Sequence, residues 1–258
     1  MILAVVGIAH GHDLLPYYLD HYRSLGVERF VIACDAELRR ALSSQPDVEA
    51  VDLPRGFQRS RLVGMIEEEL RVRHAGPADW VIPADLDELN EYPASLPDLV
   101  AQMRRDAATH VEGVMRDRIA PGGVLAALEP FEGGRSIWDQ YPLEAAVGVR
   151  LAESRTDKVL LSRGDLAWGI GHHQMRAGPA LPAFRTQGVA HHFKWRADLL
   201  RNLSWRVENE ERARVPWKQE SVRLREYLHT HGRIRPEDVD ARAGWQPTAS
   251  VARPRAGD

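Results

Sequence analysis

Short apolar runs alternate with helical stripes through the first hundred residues. Residues 2–8 form a run that predicts a central first strand, in which Gly7 lets the backbone approach a ligand closely. Leu15, Tyr18, Tyr22 and Leu25 then recur at spacings of three and four, the stripe of an amphipathic helix. Asp13 is placed to cap it, Pro16 is tolerated in its first turn, and Gly26 stops it. Residues 29–35 predict a second strand, 36–45 a short helix and 48–53 a third strand closed by Pro54-Arg55-Gly56. A helix over 58–73 turns Leu62, Met65, Ile66 and Leu70 inward, and Trp80-Val81-Ile82 is the next buried strand. Strand, helix and strand in that order argue for parallel pairing with right-handed crossovers, the beginning of a nucleotide-binding α/β half.

Beyond residue 91 the pattern loosens. Residues 96–107 read as a helix, 111–115 as a strand running into Arg116-Asp117-Arg118, and 120–134 as a loop rich in glycine and proline. Residues 136–149 have no clear period, and 158–161 is a short strand. Two histidine pairs follow, His172-His173 after a Gly-Ile-Gly turn and His191-His192 after Val189-Ala190. From 196 to about 230 the sequence is helical in propensity and broken near Pro216; after Gly244 it reads as a tail. The division that follows is a domain over 1–195, with a nucleotide half over 1–92 and an acceptor half over 93–195. A helical extension occupies 196–243, and the tail runs over 244–258.

Composition narrows the class. Hydrophobic residues at 44% and charged residues at 28% are ordinary for a globular chain, and no apolar run reaches the ~18 residues of a membrane span. The opening residues lack a basic segment and a cleavage site, so the expectation is a cytoplasmic protein, with peripheral membrane association left open. A net charge of −3 gives no electrostatic reason for a nucleic-acid partner. The single cysteine, Cys34, excludes an internal disulfide and a thiolate zinc cluster, and it reads as a small core residue.

The chemistry concentrates in residues 80–91, WVIPADLDELNE, where Asp85, Asp87, Glu88 and Glu91 follow the apolar run. Ligands of open α/β sheets bind beyond the carboxyl ends of the strands. Period-two alternation puts Asp85 and Asp87 on one side, where they would share a hard cation such as Mg2+ or Mn2+. A plain acidic turn is the simpler alternative for a bare D-x-D. The flanks argue against it, because WVIPADLDEL resembles the W-(apolar)-D-x-D-E-(apolar) segment of glycosyltransferase family 2 and its relatives. Upstream, DLLPYYLDHYRSLGVERFVIACD is similar to that family's opening helix and second strand.

The resemblance implies a GT-A-like fold, an open and mostly parallel α/β sheet sandwiched by helices, here with a C-terminal helical extension. It implies Mn2+ or Mg2+ and a nucleotide sugar donor, UDP-, GDP- or dTDP-linked. The sugar would pass, with inversion, to a hydroxyl of a glycan or small-molecule acceptor whose identity has no readable code. Asp87 would hold the metal, with Asp85 assisting or meeting the ribose, and His192 in the HFKWR segment would close the site. His172 or His173 is the competing histidine. Asp35 would meet the nucleotide, and Lys158, His192 and Lys194 would face the diphosphate, whose charge a cation must stabilise as it leaves. Arg59 and Arg61 oppose the dipole at a helix start unless an anion is held nearby. An inverting transferase also needs a carboxylate base, for which Asp117 is the first candidate and Asp139 the second; an ion pair of Asp117 with Arg116 or Arg118 is the alternative.

Two departures from the family weaken the expectations for base recognition: His10-Gly11 replaces its usual Asn-Glu, and the polar run after Asp35 shrinks to Ala36-Glu37. A nucleotidyltransferase would use the same strands and acids on a triphosphate. A metal-dependent hydrolase would draw on His10, His12 and His172 with the acids, although their spacing matches no recognised ligand set.

Overall fold

The computed structural model describes residues 1–8, 11–53, 63–176, 181–184, 188–213 and 218–244 of the 258. His10, Arg59, Arg61 and Leu62, all considered from the sequence, lie outside the described residues.

Four strands build the nucleotide half: β1 (Ile2–Gly7), β2 (Arg29–Cys34), β3 (Val48–Asp52) and β4 (Trp80–Pro83), with α1 (Leu15–Ser24), α2 (Ala36–Leu42) and α3 (Val63–His74) between them. They pair in parallel in the order β3-β2-β1-β4. Alternation along each strand sorts the core. Ile2, Ala4 and Val6 with Phe30, Ile32 and Ile82 face the cluster that holds α1, while Leu3, Val5, Val31 and Val81 face Ile66 and Leu70 of α3. Helices thus cover both faces, which explains why these strands read as continuous apolar runs.

The second half is built differently. After the acidic turn come β5 (Glu88–Glu91), α4 (Leu96–Arg105), β6 (His110–Ile119), α5 (Ile137–Gln140), β7 (Leu143–Ala145), α6 (Val147–Ala152) and β8 (Asp157–Arg163). Then follow β9 (Gly188–His192), α7 (Leu199–Ala213), α8 (Lys218–His231) and β10 (Arg242–Ala243). β8 joins the halves, pairing antiparallel with both β4 and β6. β9 runs antiparallel to β5 and parallel to β6. The whole is an α/β sheet sandwiched by helices, with α7 and α8 closing a separate apolar cluster over Ile119, Ala145 and Val147. This is the expected architecture, with antiparallel pairing concentrated in the second half.

Three details differ from the sequence reading and bear on the site. β6 runs on to Ile119, so Asp117 stands inside a strand, directly across from His192. Residues 88–91, read as part of an acidic segment, form β5. The aperiodic stretch over 136–149 contains α5, β7 and the start of α6, pieces of three to six residues that are too short to show a period. The close crossing of β9 over its neighbours also needs glycine: a Cβ on Gly188 would lie 2.6 Å from the Glu91 carbonyl oxygen.

Candidate functional site

β4 ends at Pro83, two residues before the first aspartate, so strand alternation does not govern the acidic pair. The backbone turns instead through Leu86 and Asp87, closed by the Glu88 N–H donating to the Asp85 carbonyl at 2.9 Å. The Phe193 N–H donates to the Asp87 carbonyl at 2.7 Å, binding the end of β9 to the same turn. Asp85 and Asp87 consequently enter two different sets of side chains.

On the Asp87 side the centre is His192. Its Nδ1 lies 3.1 Å from Asp117 Oδ1 and its Nε2 3.6 Å from Asp87 Oδ2. Asp117 is buried and fully engaged: Trp195 Nε1–H donates to Oδ1 at 2.7 Å, and the Gly148 N–H donates to Oδ2 at 2.8 Å. Burial by itself would strip charge from the pair, but Asp87 and Asp117 outweigh it and raise His192 to about 10. Burial would likewise raise Asp87, yet His192, Arg196 and Lys194 hold its carboxyl well below the usual range. Lys194 lies with its Nζ 5.4 Å from the centre of the Trp195 ring. Arg196 donates through Nη1 to Asp13 at 2.6 Å.

The Asp85 side is more deeply buried and more acidic. One carboxylate oxygen each from Asp85 and Glu67, with a ring nitrogen of His172, lie within 4.8 Å of one another. Beside them Lys158 Nζ sits 2.7 Å from Glu88 Oε1 and donates to the Gly171 carbonyl at 3.0 Å, with both charged side chains 2% exposed. Burial opposes the charge on Lys158, and Glu88 and Asp85 more than restore it. Burial also raises Glu88, and it lifts Glu67 to about 7 with Asp85 adding to the rise and His172 opposing it. His172 Nε2 approaches Glu67 Oε2 to 2.8 Å, but alignment is poor: among the described residues neither Glu67 oxygen and neither His172 nitrogen has a hydrogen-bonding partner. A buried polar group left so costs about 1–3 kcal/mol.

The remaining sequence candidates lie elsewhere. Asp35 caps α2, accepting from Glu37 N and Leu38 N, and is 3.9 Å from His12 at the mouth of β2. Asp139 is exposed and closes the first turn of α5 with Ser136. Adjacent histidines point apart as a strand requires: His191 packs its ring on Trp138, and His192 faces the acids. His12 against Asp35 and His172 against Glu67 go to separate partners, so the described hydrolase candidates share no site. Sequence reasoning missed Glu67 altogether. It is the first of three consecutive glutamates on α3, and nothing in that run marks which of them is buried. It also missed the Lys158 partnership with Glu88, since a buried pair 70 residues apart leaves no local signal.

No family model matches the sequence, and no curated protein matches it. Among solved structures it is similar to a manganese complex of a Mycobacterium tuberculosis H37Rv protein, at 19% identity and a TM-score of 0.27 over 46% of this chain and 64% of that one. The chain thus spans a little under two thirds of that protein. It is also similar to a CMP:2-keto-3-deoxy-manno-octonic acid synthetase complexed with CTP, at 15% identity and a TM-score of 0.34, over 64% of this chain and 74% of the other. A UDP-glucose pyrophosphorylase complexed with UDP-glucose matches at 13% identity and a TM-score of 0.27, over 56% and 65%. Overlaps this partial carry no functional weight, and the resemblance to glycosyltransferase family 2 rests on the segments quoted above.

Proposed function

We propose that this chain is a metal-dependent transferase acting on a nucleoside-diphosphate sugar. The observation that carries the reading is the His192 imidazole, held through Nδ1 by Asp117 and presenting Nε2 to Asp87 at 3.6 Å, just past the carboxyl end of a central parallel strand. A carboxylate behind the far nitrogen of an imidazole is the usual way a ligating histidine is oriented. A separation of 3.6 Å suits two ligands of one ion with bonds of roughly 2.0–2.2 Å. Asp87 and His192 fit Mn2+ on these grounds, the ion taking the place of the proton that the two aspartates hold on the imidazole, and when bound it would neutralise charge on a departing diphosphate.

The protein's own groups do the rest. Asp117 fixes the imidazole, and because three donors occupy its oxygens we assign it as a positioning residue in place of a base. Lys194, beside the turn, meets phosphate charge. Asp35 and His12, at the end of β2, face the nucleoside side of the same edge. Lys158 is withdrawn from the phosphates by Glu88 and Gly171 and serves to neutralise the floor of the site.

The test is a thermal-shift panel of UDP, GDP and dTDP and the matching triphosphates, each with and without Mn2+. A diphosphate should raise Tm only with the metal, because a ligand that binds the folded state alone stabilises it. Asp87→Asn should remove that shift while the circular dichroism spectrum is kept. An unchanged shift in Asp87→Asn would overturn the site. A metal-dependent response to triphosphates alone would move the assignment to nucleotidyl transfer.

A further inference from the structure

We infer that Glu67, Asp85 and His172 form a second cation site, separate from the Asp87 and His192 pair and suited to a first-row divalent ion such as Zn2+ or Mn2+. The inference goes beyond the proposed activity and does not depend on it.

Three separate elements deliver these donors to one point: α3, the acidic turn, and the short 3-10 turn at Ile170–His172. Glu67 is 0% and His172 1% exposed, and their four polar side-chain atoms have no hydrogen-bonding partner among the described residues. Buried polar groups in folded proteins are otherwise nearly always paired. An ion pair of Glu67 with His172 does not account for them, since it leaves His172 Nδ1 and the second Glu67 oxygen unanswered at a distance already down to 2.8 Å.

The charge balance points the same way. With its acids ionised and His172 neutral, as ligation requires, the described cluster sets Glu67, Asp85 and Glu88 against Lys158, leaving two negative charges in a largely buried pocket. A divalent ion with neutral His172 would cancel them. The backbone is also bent to deliver the imidazole: His172 has φ +56°, a left-handed value uncommon for a residue with a side chain, directly after Gly171 at +66°. Such a conformation is retained where the surroundings hold it, and it clusters at ligand sites. One imidazole among two carboxylates favours a first-row transition ion over Mg2+ or Ca2+, which prefer oxygen alone. Asp85, less buried than its partners, gives the edge from which an ion would enter.

The experiment uses the whole chain stripped with a chelator and titrated by calorimetry with Zn2+ and, separately, Mn2+, with no nucleotide present. A binding event should appear whose affinity is about tenfold or more weaker in Glu67→Gln and in His172→Ala. The same binding should persist in Asp87→Asn. Stripping wild type should lower its Tm and Zn2+ restore it, a readout that holds even if a variant folds poorly. Visible absorption of bound Co2+, lost in His172→Ala, would report imidazole ligation directly. Binding that survives Glu67→Gln and vanishes in Asp87→Asn would overturn this site while leaving the Asp87 reading intact. No metal binding without nucleotide, and no Tm change on stripping, would overturn it as well.

Discussion

On one side of Leu86, Asp87 faces an imidazole whose Nδ1 is bonded to a fully engaged carboxylate; on the other, Asp85 meets a glutamate and a histidine that have no hydrogen-bonding partner among the described residues. Both sets are largely buried, and both take one acid from the same turn. The difference is in how charge is settled. Around Asp87 the protein supplies its own cations, His192, Lys194 and Arg196, and the arrangement stands ready as built. Around Asp85 the described residues set Lys158, with His172 when protonated, against three acids. A side that is complete can be preorganised for chemistry. A side left short of positive charge is held together better when something binds.

The sharpest way to break this contrast is Lys158→Met. Removing the ammonium paired with Glu88 leaves that carboxylate buried without its partner, which should cost about 3–5 kcal/mol by urea denaturation. Zn2+ should then recover a larger share of stability than it adds to wild type. Equal losses with and without metal would mean that Lys158 and a cation do not share a task.

A control with no link to metal comes from His21, whose buried Nε2 bonds the Asn90 carbonyl at 2.9 Å. Burial lowers this imidazole from 6.5 to about 4, a fall that the Asn90 bond opposes. The unfolded chain therefore binds more protons between those values. Stability from this group is complete above pH 6.5 and is lost as pH drops toward 4, by on the order of 3 kcal/mol. Comparing wild type with His21→Gln across that range should isolate the slope, and chelation should leave it unchanged.

The smallest effect is expected on the Asp87 side. Asp117→Asn keeps the shape but removes the charge that supports His192, so stability should fall by about 1–3 kcal/mol. The imidazole should come down from about 10 toward 6.5, read from the ring proton shifts by NMR. A value that stays near 10 would mean Asp87 alone holds the charge.

The parallel half was legible because each of its strands is buried on two faces and each helix carries one apolar stripe, so Ile2, Val31 and Leu70 announce their places locally. The turn after Ile82 was legible as a site for a related reason, four acids at the end of an apolar run. What escaped was the distribution of those acids. Asp85 and Asp87 look equivalent on an extended chain, and only the early end of β4 at Pro83 sends them to different partners. Asp117 read as a residue after a strand because Arg116 and Arg118 flank it. Yet β6 continues through all three, and Arg118 is buried against the Trp138 ring. Glu67 had no signal at all, since burial of one glutamate in a run of three is decided by what packs on α3. Arg59 was singled out for its odd place at a helix start and lies outside the described residues.

One strand sets a clock on all of this. β9 fills the gap between β5 and β6 and carries both His191 and His192, and its link to Glu91 spans 100 residues of sequence. During synthesis at about 5–20 residues per second, the acidic turn would leave the ribosome roughly 5–20 s before the histidine that answers it. For that interval Asp85, Asp87, Glu88 and Glu91 belong to a nascent chain without His192, and for about its first two thirds without Lys158 as well. The nucleotide half can close its parallel strands in that time, but the acids must wait in water until the late segment arrives. Of the strands that frame the acidic turn β9 is the last to emerge, and the moment it docks is the moment the site begins to exist.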